Sequence, residues 1–272
     1  MVEMTCWTAC THNCVVIETS EPEQTCRKSF FDIISLMNAN KFRRLPVVKN
    51  KELIGIITTY DIIRALNEAS TLPDVVCLDV EQLMTLDPIT ISPNSSMQEA
   101  AKIMASNMIG CLPIISNKTL VGIITERDCL DALPTTREEP IKEICSSKEI
   151  ITVNPSTSLK KGIETMAEEN IRHLIIINSE GSIAGIITAT DIIYSLGKFF
   201  NRELSANSWM NLPVELLATH KTFMLPADTP INLVNKIMQL NNIGAFPIIE
   251  KGKLFGIVSE RDIVKLIAET GE

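Results

Sequence analysis

Apolar positions along the chain keep two rhythms. Short continuous runs such as Leu112 to Ile115 and Leu120 to Thr125 have the length and β-branched content of strands. The polar stretch Ser116–Thr119 between them reads as a hairpin turn. Upstream, Met97, Ala100, Ala101, Met104 and Met108 are spaced like one face of a helix. Ser96-x-x-Glu99 reads as the capping box that opens this helix, and Ile89 to Ile91 as a short strand before it. A last helix begins around Glu126. The predicted order is strand, helix, strand, strand, helix, an α/β (α+β) unit. One such unit, with a sheet open on both faces, has too little core to stand alone and should pack on a neighbour.

The unit recurs four times. The phrases are RRLPVVKNKELIGIITTYDII from Arg43, GCLPIISNKTLVGIITERDCL from Gly110, RHLIIINSEGSIAGIITATDII from Arg172 and GAFPIIEKGKLFGIVSERDIV from Gly244. Asp61, Asp128, Asp191 and Asp262 share one column, Gly55, Gly122, Gly185 and Gly256 a second. Met37, Met104, Met166 and Met238 form a third, which reads as core filler. The repeats also alternate. The first and third carry a basic pair, Arg43–Arg44 and Arg172–His173, where the second and fourth have Gly110 and Gly244. The second and fourth share Glu-Arg-Asp, ending at Asp128 and Asp262. This ABAB pattern suggests a doubled two-repeat unit, with domains at 10–132 and 140–270. Asp131 to Pro140 is then the link between them, and Ser195 to Pro213 a longer link inside the second half.

Length agrees, since 272 residues at roughly 150 per domain predict about two domains. The chain is 45% hydrophobic and 21% charged, a globular balance. Its net charge of −8 argues against nucleic acid or an anionic membrane surface as partner. No apolar stretch approaches the roughly 20 residues of a membrane span. The first residues lack the basic start and apolar core of a signal peptide, which predicts a cytoplasmic protein whose eight cysteines are free thiols.

The column that carries chemistry is Ser/Thr-x-x-Asp at the strand-to-helix junction: Thr58/Asp61, Thr125/Asp128, Thr188/Asp191 and Ser259/Asp262. Two readings stand side by side. It is a capping box satisfying backbone donors, or the carboxylate accepts from the two adjacent hydroxyls of a ribose. The glycine column marks a tight hairpin exit, a bulge or a close approach of backbone or ligand.

The recurring Gly-[IV]-[IV]-[ST]-x-x-Asp phrase resembles the cystathionine-β-synthase (CBS) domain family, from about residue 10 to 270. The resemblance implies four CBS repeats, at 10–67, 80–132, 140–197 and 213–270, paired into two Bateman modules that join in a flat disc. It implies clefts between repeats that hold adenosine compounds: AMP, ADP or ATP, or else S-adenosylmethionine or NAD. In the family the Ser/Thr-x-x-Asp pairs contact the ribose. The first strand holds the adenine edge, which maps near Thr90 and Thr152, and near Ile17–Thr19 in the first repeat. Arg43–Arg44 before Leu45–Pro46 is similar to the basic phrase of the γ subunit of AMP-activated protein kinase, where such residues grip phosphates; Arg172–His173 stands in the same column. Arg127 and Arg261 are further phosphate candidates, or else salt-bridge partners of Glu126 or a nearby acid. Departures are Gly110 and Gly244 in the basic column, Ile175 where the other repeats have proline, and an insertion at 20–28. Sites on Asp128 and Asp262 would then borrow arginines, take an uncharged ligand or stay empty.

The expectation is a regulatory, non-catalytic module. Its ligand is an adenine nucleotide or related adenosine compound, no cofactor is required, and occupancy is passed to an unidentified protein partner. The chain would act as a monomeric disc or a homodimer. No nucleophile–base–orienter set is legible, and His12, His173 and His220 share no column. Two rivals differ in class. One is a structural interaction disc with mostly empty clefts. The other is a metal or thiol sensor built on Cys6, Cys10, His12 and Cys14, whose spacing matches no standard zinc motif.

Overall fold

The computed structural model describes residues 5–12, 15–19, 29–69, 71–147, 150–200 and 206–269. Each repeat builds the expected helix, strand, strand and helix, and three of the four also form the leading strand. The first has a strand Ile17–Glu18, a helix Phe30–Asn40, strands Arg44–Lys49 and Glu52–Thr58, and a helix Thr59–Glu68. The second has a helix Met97–Asn107, strands Cys111–Ser116 and Thr119–Thr125, and a helix Glu126–Cys129 that tightens into the 3-10 turn Leu130–Ala132. The third has Thr152–Val153, helix Leu159–Glu168, strands His173–Ile177 and Ile183–Thr188, and helix Ala189–Phe200. The fourth has Leu225–Pro226, helix Ile231–Asn241, strands Ala245–Glu250 and Lys253–Ser259, and helix Glu260–Glu269.

The leading strand runs parallel to the second strand, which pairs antiparallel with the third. Asn50–Lys51, Asn117–Lys118 and Lys251–Gly252 turn the hairpins with both residues at positive φ, which matches the twist of the flanking strands. The third hairpin is one residue longer and places Gly181 at φ 81. Each hairpin also slips register beside the column glycine, between Val47 and Val48, Ile114 and Ile115, Ile176 and Ile177, and Ile248 and Ile249.

Two expectations change. In the second repeat only Ile91 of Ile89–Ile91 pairs, bridging to Ile114. The expected link Ser195–Pro213 is largely helical, because Ala189–Phe200 runs through its start and Ala206–Met210 forms a further helix. Trp209, 2% exposed, anchors it there and donates from Nε1 to Ser195 Oγ at 3.1 Å.

The first helices present apolar faces such as Phe30, Ile33, Ile34 and Met37, or Met97, Ala100, Ala101 and Met104. The methionine column is buried in all four repeats. These faces fill two cores, one in each of two compact units. Residues 15–87 and 151–221 form one unit, containing the first and third repeats; we call it the odd unit. Residues 1–14, 88–150 and 222–272 form the other, containing the second and fourth; we call it the even unit. Compactness thus groups repeats by type, whereas the division at 10–132 and 140–270 follows chain order.

In the odd unit, helix Thr59–Glu68 packs on Leu159–Glu168, and Phe30–Asn40 on Ala189–Phe200. Gly197 makes room for Asn38 at that second crossing, where a Cβ would collide with its amide. In the even unit, helix Glu260–Glu269 packs on Met97–Asn107. Among the described residues no helix is long and apolar enough to cross a membrane.

Candidate functional site: the strand-to-helix junctions

All four junctions form the cap that the Ser/Thr-x-x-Asp spacing dictates. Oδ2 of Asp61 accepts from Thr58 N at 2.7 Å and Thr58 Oγ1 at 2.6 Å. Oδ2 of Asp128 accepts from Thr125 N and Oγ1, both at 2.7 Å. Oδ2 of Asp191 accepts from Thr188 N at 2.8 Å and Oγ1 at 2.7 Å. Oδ2 of Asp262 accepts from Ser259 N and Oγ, both at 2.7 Å. The cap therefore takes one carboxylate oxygen and leaves the other. Among the described residues, Oδ1 of Asp191 and of Asp262 accepts no hydrogen bond. Burial pushes both carboxyls above their ordinary value, against the pull of the Thr188 and Ser259 donors. Asp61 differs: its Oδ1 accepts from Thr85 Oγ1 at 3.2 Å, with Arg64 Nη2 3.7 Å away.

The basic column flanks the cap. Arg44 pairs with Thr58 across the ladder, and His173 with Thr188. Arg43 and Arg172 accept with their carbonyls from the first helical amides, Thr59 N and Ala189 N, each at 3.0 Å. Gly110 and Gly244 make the same contact to Glu126 N and Glu260 N. All four basic residues and both of their aspartates lie in the odd unit.

In the even unit Arg127 and Arg261 are exchanged between repeats. Arg127 Nε donates to Glu260 Oε1 at 2.6 Å, and Arg261 Nε to Glu126 Oε1 at 3.3 Å. The two glutamates are 3% and 1% exposed, so both guanidiniums are engaged with buried acids. Arg261 thus meets Glu126 itself, and Arg127 meets the equivalent acid of the other repeat. A phosphate would have to compete with a desolvated carboxylate for each arginine.

Register puts Thr90 and Thr152 in one column, since Ile91 bridges Ile114 while Thr152 precedes Val153 opposite Ile176. Both threonines are exposed. The same register gives Val16 and Met224 at this position in the first and fourth repeats. Ile17–Glu18 holds its place against Val47–Val48; the insertion at 20–28 lies outside the described residues.

One further column escaped sequence reasoning. The backbone of a hydroxyl residue crosses each column glycine. A Cβ on Gly55 would meet Thr85 O at 3.1 Å, on Gly122 Thr11 O at 3.2 Å, on Gly185 Thr219 O at 2.9 Å, and on Gly256 Ser146 O at 2.9 Å. The glycines are thus sites of close backbone approach as well as of bulges. The signal was a Ser or Thr following Cys10, Met84, Cys145 and Ala218, each ahead of a leading strand.

At the thiol cluster, Cys6 Sγ donates to Ser96 O at 3.6 Å and Cys10 Sγ to Trp7 O at 3.5 Å, with His12 Nδ1 3.7 Å from Cys10 Sγ. Burial pushes the Cys6 thiol up to about 11. Cys14 lies outside the described residues. Among the described residues no group of three or more His, Cys, Asp or Glu is placed to hold a metal ion.

A family model described as the CBS domain matches residues 11–68, 80–135, 141–198 and 214–269. Protein MJ1225 of Methanocaldococcus jannaschii is 30% identical over 273 residues, covering 93% of this chain and 95% of that relative. Its crystal structure, described as that of a proposed archaeal homolog of g-AMPK, aligns with a TM-score of 0.85 at 26% identity, over 97% of this chain and 100% of that one. A conserved protein from Pyrococcus horikoshii shares the fold, with a TM-score of 0.64 at 22% identity over 97% of this chain and 100% of that one. Inosine-5'-monophosphate dehydrogenase of Aquifex aeolicus is 32% identical over 114 residues, 42% of this chain and 23% of the enzyme.

Proposed function

The chain belongs to the CBS domain family, and we propose that it is a regulatory module that binds adenine nucleotides at its strand-to-helix junctions. The carrying observation is the division of labour on the aspartates. Oδ2 closes the helix cap, while Oδ1 of Asp191 and Asp262 is left for a donor, and two adjacent sugar hydroxyls are such donors. In the odd unit the ribose site adjoins a basic column. Arg43 and Arg44 in the first repeat, and Arg172 and His173 in the third, take the phosphates. A charge-assisted bond of this kind contributes roughly 1.5–3 kcal/mol, so two or three with a ribose contact suffice for micromolar affinity, about −8 kcal/mol. The exposed hydroxyls of Thr90 and Thr152 supply the adenine edge in their repeats.

Near-full-length likeness to MJ1225, described as a proposed homolog of g-AMPK, supports a regulatory rather than catalytic role. The dehydrogenase shares with this chain less than a quarter of its own length, so its activity does not carry over. The module acts in the cytoplasm and hands its occupancy to a protein partner. S-Adenosylmethionine or NAD are the alternative ligands. Calorimetric titration with AMP, ADP, ATP, S-adenosylmethionine and NAD tests the reading. Micromolar binding that Asp191→Asn weakens at least tenfold, with the circular dichroism spectrum unchanged, is the expected result. Binding by none of the five, or binding indifferent to Asp191→Asn, Asp61→Asn and Asp262→Asn, sinks it.

A further inference from the structure

The four junctions are alike in their caps and unlike in what meets the second oxygen. The segment Met84–Leu86 of the odd unit forms a strand, Thr85–Leu86, paired in register with Gly55 and Ile56. Thr11, Ser146 and Thr219, the equivalent hydroxyl residues, make only isolated bridges, to Ile123, Ile257 and Ile186. The longer pairing holds Thr85 over the first junction. Its hydroxyl donates to Asp61 Oδ1 at 3.2 Å, the oxygen that at Asp191 and Asp262 accepts no hydrogen bond among the described residues. Burial does not separate the junctions, since Asp61 is 6% and Asp262 9% exposed; the hydroxyl on the second oxygen does. Gly55 lets the strand come this close, since a Cβ there would meet Met84 Sδ at 2.5 Å.

We propose that Thr85 is a built-in stand-in for a sugar hydroxyl, so that Asp61 takes ligand only when the Thr85–Leu86 strand moves aside, whereas Asp191 and Asp262 take it directly. This rests on the reading of the junctions as ribose sites and adds an order of filling to it. A ribose arriving at Asp61 gives up the difference between its own hydroxyl contact and the one already made by Thr85, because a hydrogen bond is exchanged rather than gained. Affinity at the first junction is reduced by the fraction of time the strand is away. Thr85 therefore sets the affinity of the first junction, which is conditional where the junctions at Asp191 and Asp262 are not.

Calorimetric titration of AMP into the full chain carrying Asp191→Asn and Asp262→Asn reads the remaining junctions. Adding Thr85→Val, which keeps the shape and removes the hydroxyl at an exposed strand position, should tighten AMP binding about tenfold, or 1.4 kcal/mol. Thr85→Ser should leave it unchanged, and adding Asp61→Asn should abolish the gain. Unchanged or weaker binding in Thr85→Val, or a gain that survives Asp61→Asn, overturns the inference and leaves the junction reading standing. AMP binding absent from the wild-type chain and from every variant overturns both.

Discussion

The odd and even units are built from the same element order and differ in how like repeats are joined. In the even unit the joint is ionic and reciprocal: Glu126 and Arg127 of one repeat meet Arg261 and Glu260 of the other. In the odd unit the corresponding positions hold Thr59 and Tyr60 in one repeat and Ala189 and Thr190 in the other. Thr59 and Ala189 are buried, and Tyr60 donates from its hydroxyl to Ala167 O at 3.2 Å. A Glu-Arg phrase is self-complementary, so a repeat carrying one is satisfied by another of its own kind. The charge that the even unit spends on its joint is, in the odd unit, held in the basic column beside the caps. The difference teaches that the ABAB alternation in sequence sets an ionic joint in one unit against a basic column beside the caps in the other.

The sharpest way to break this comparison is to remove one arm of the ionic joint. Arg127→Met removes the guanidinium that meets the buried carboxylate of Glu260 and should cost roughly 3–5 kcal/mol, read as a lowered urea midpoint. Tyr60→Phe at the odd joint loses one partly buried hydrogen bond and should cost about 1 kcal/mol. Equal losses in the two variants would erase the distinction.

Ligand linkage comes next. AMP at 100 times its dissociation constant should raise stability by about 2.7 kcal/mol per filled site. Arg44→Ala with Arg172→Ala, both in the odd unit, should remove that unit's share of the gain in a thermal melt. Glycine substitution sharpens the shared part. Gly185→Ala and Gly256→Ala, one per unit, each press a Cβ onto a backbone carbonyl at 2.9 Å and should destabilise by roughly 1–3 kcal/mol. A neutral result at either would mean that its crossing segment yields freely.

The smallest effect is electrostatic. Asp191 and Asp262, one in each unit, have carboxyls raised above 3.8 by burial, so the folded protein holds their protons more tightly than the unfolded chain. Their contribution to stability is full below 3.8 and is lost as pH rises through the folded values. Asp191→Asn and Asp262→Asn should each flatten this part of a stability-versus-pH curve; an unchanged slope would contradict the burial.

The sequence by itself determined whatever acts over a few residues. Apolar spacing set the strands and helices, Ser/Thr-x-x-Asp set the caps, and Asn50–Lys51 or Lys251–Gly252 set the turns. The recurrence of these local rules also revealed the repeats, their alternation and their family likeness. Tertiary structure alone decided which repeats share a core, which acid meets Arg127, and which oxygen of each aspartate remains open. Arg127 and Glu260 stand 133 residues apart, and Thr85 reaches Asp61 from 24 residues away. No periodicity or capping rule reaches across such separations, because those contacts exist only once distant faces have buried their apolar surface together.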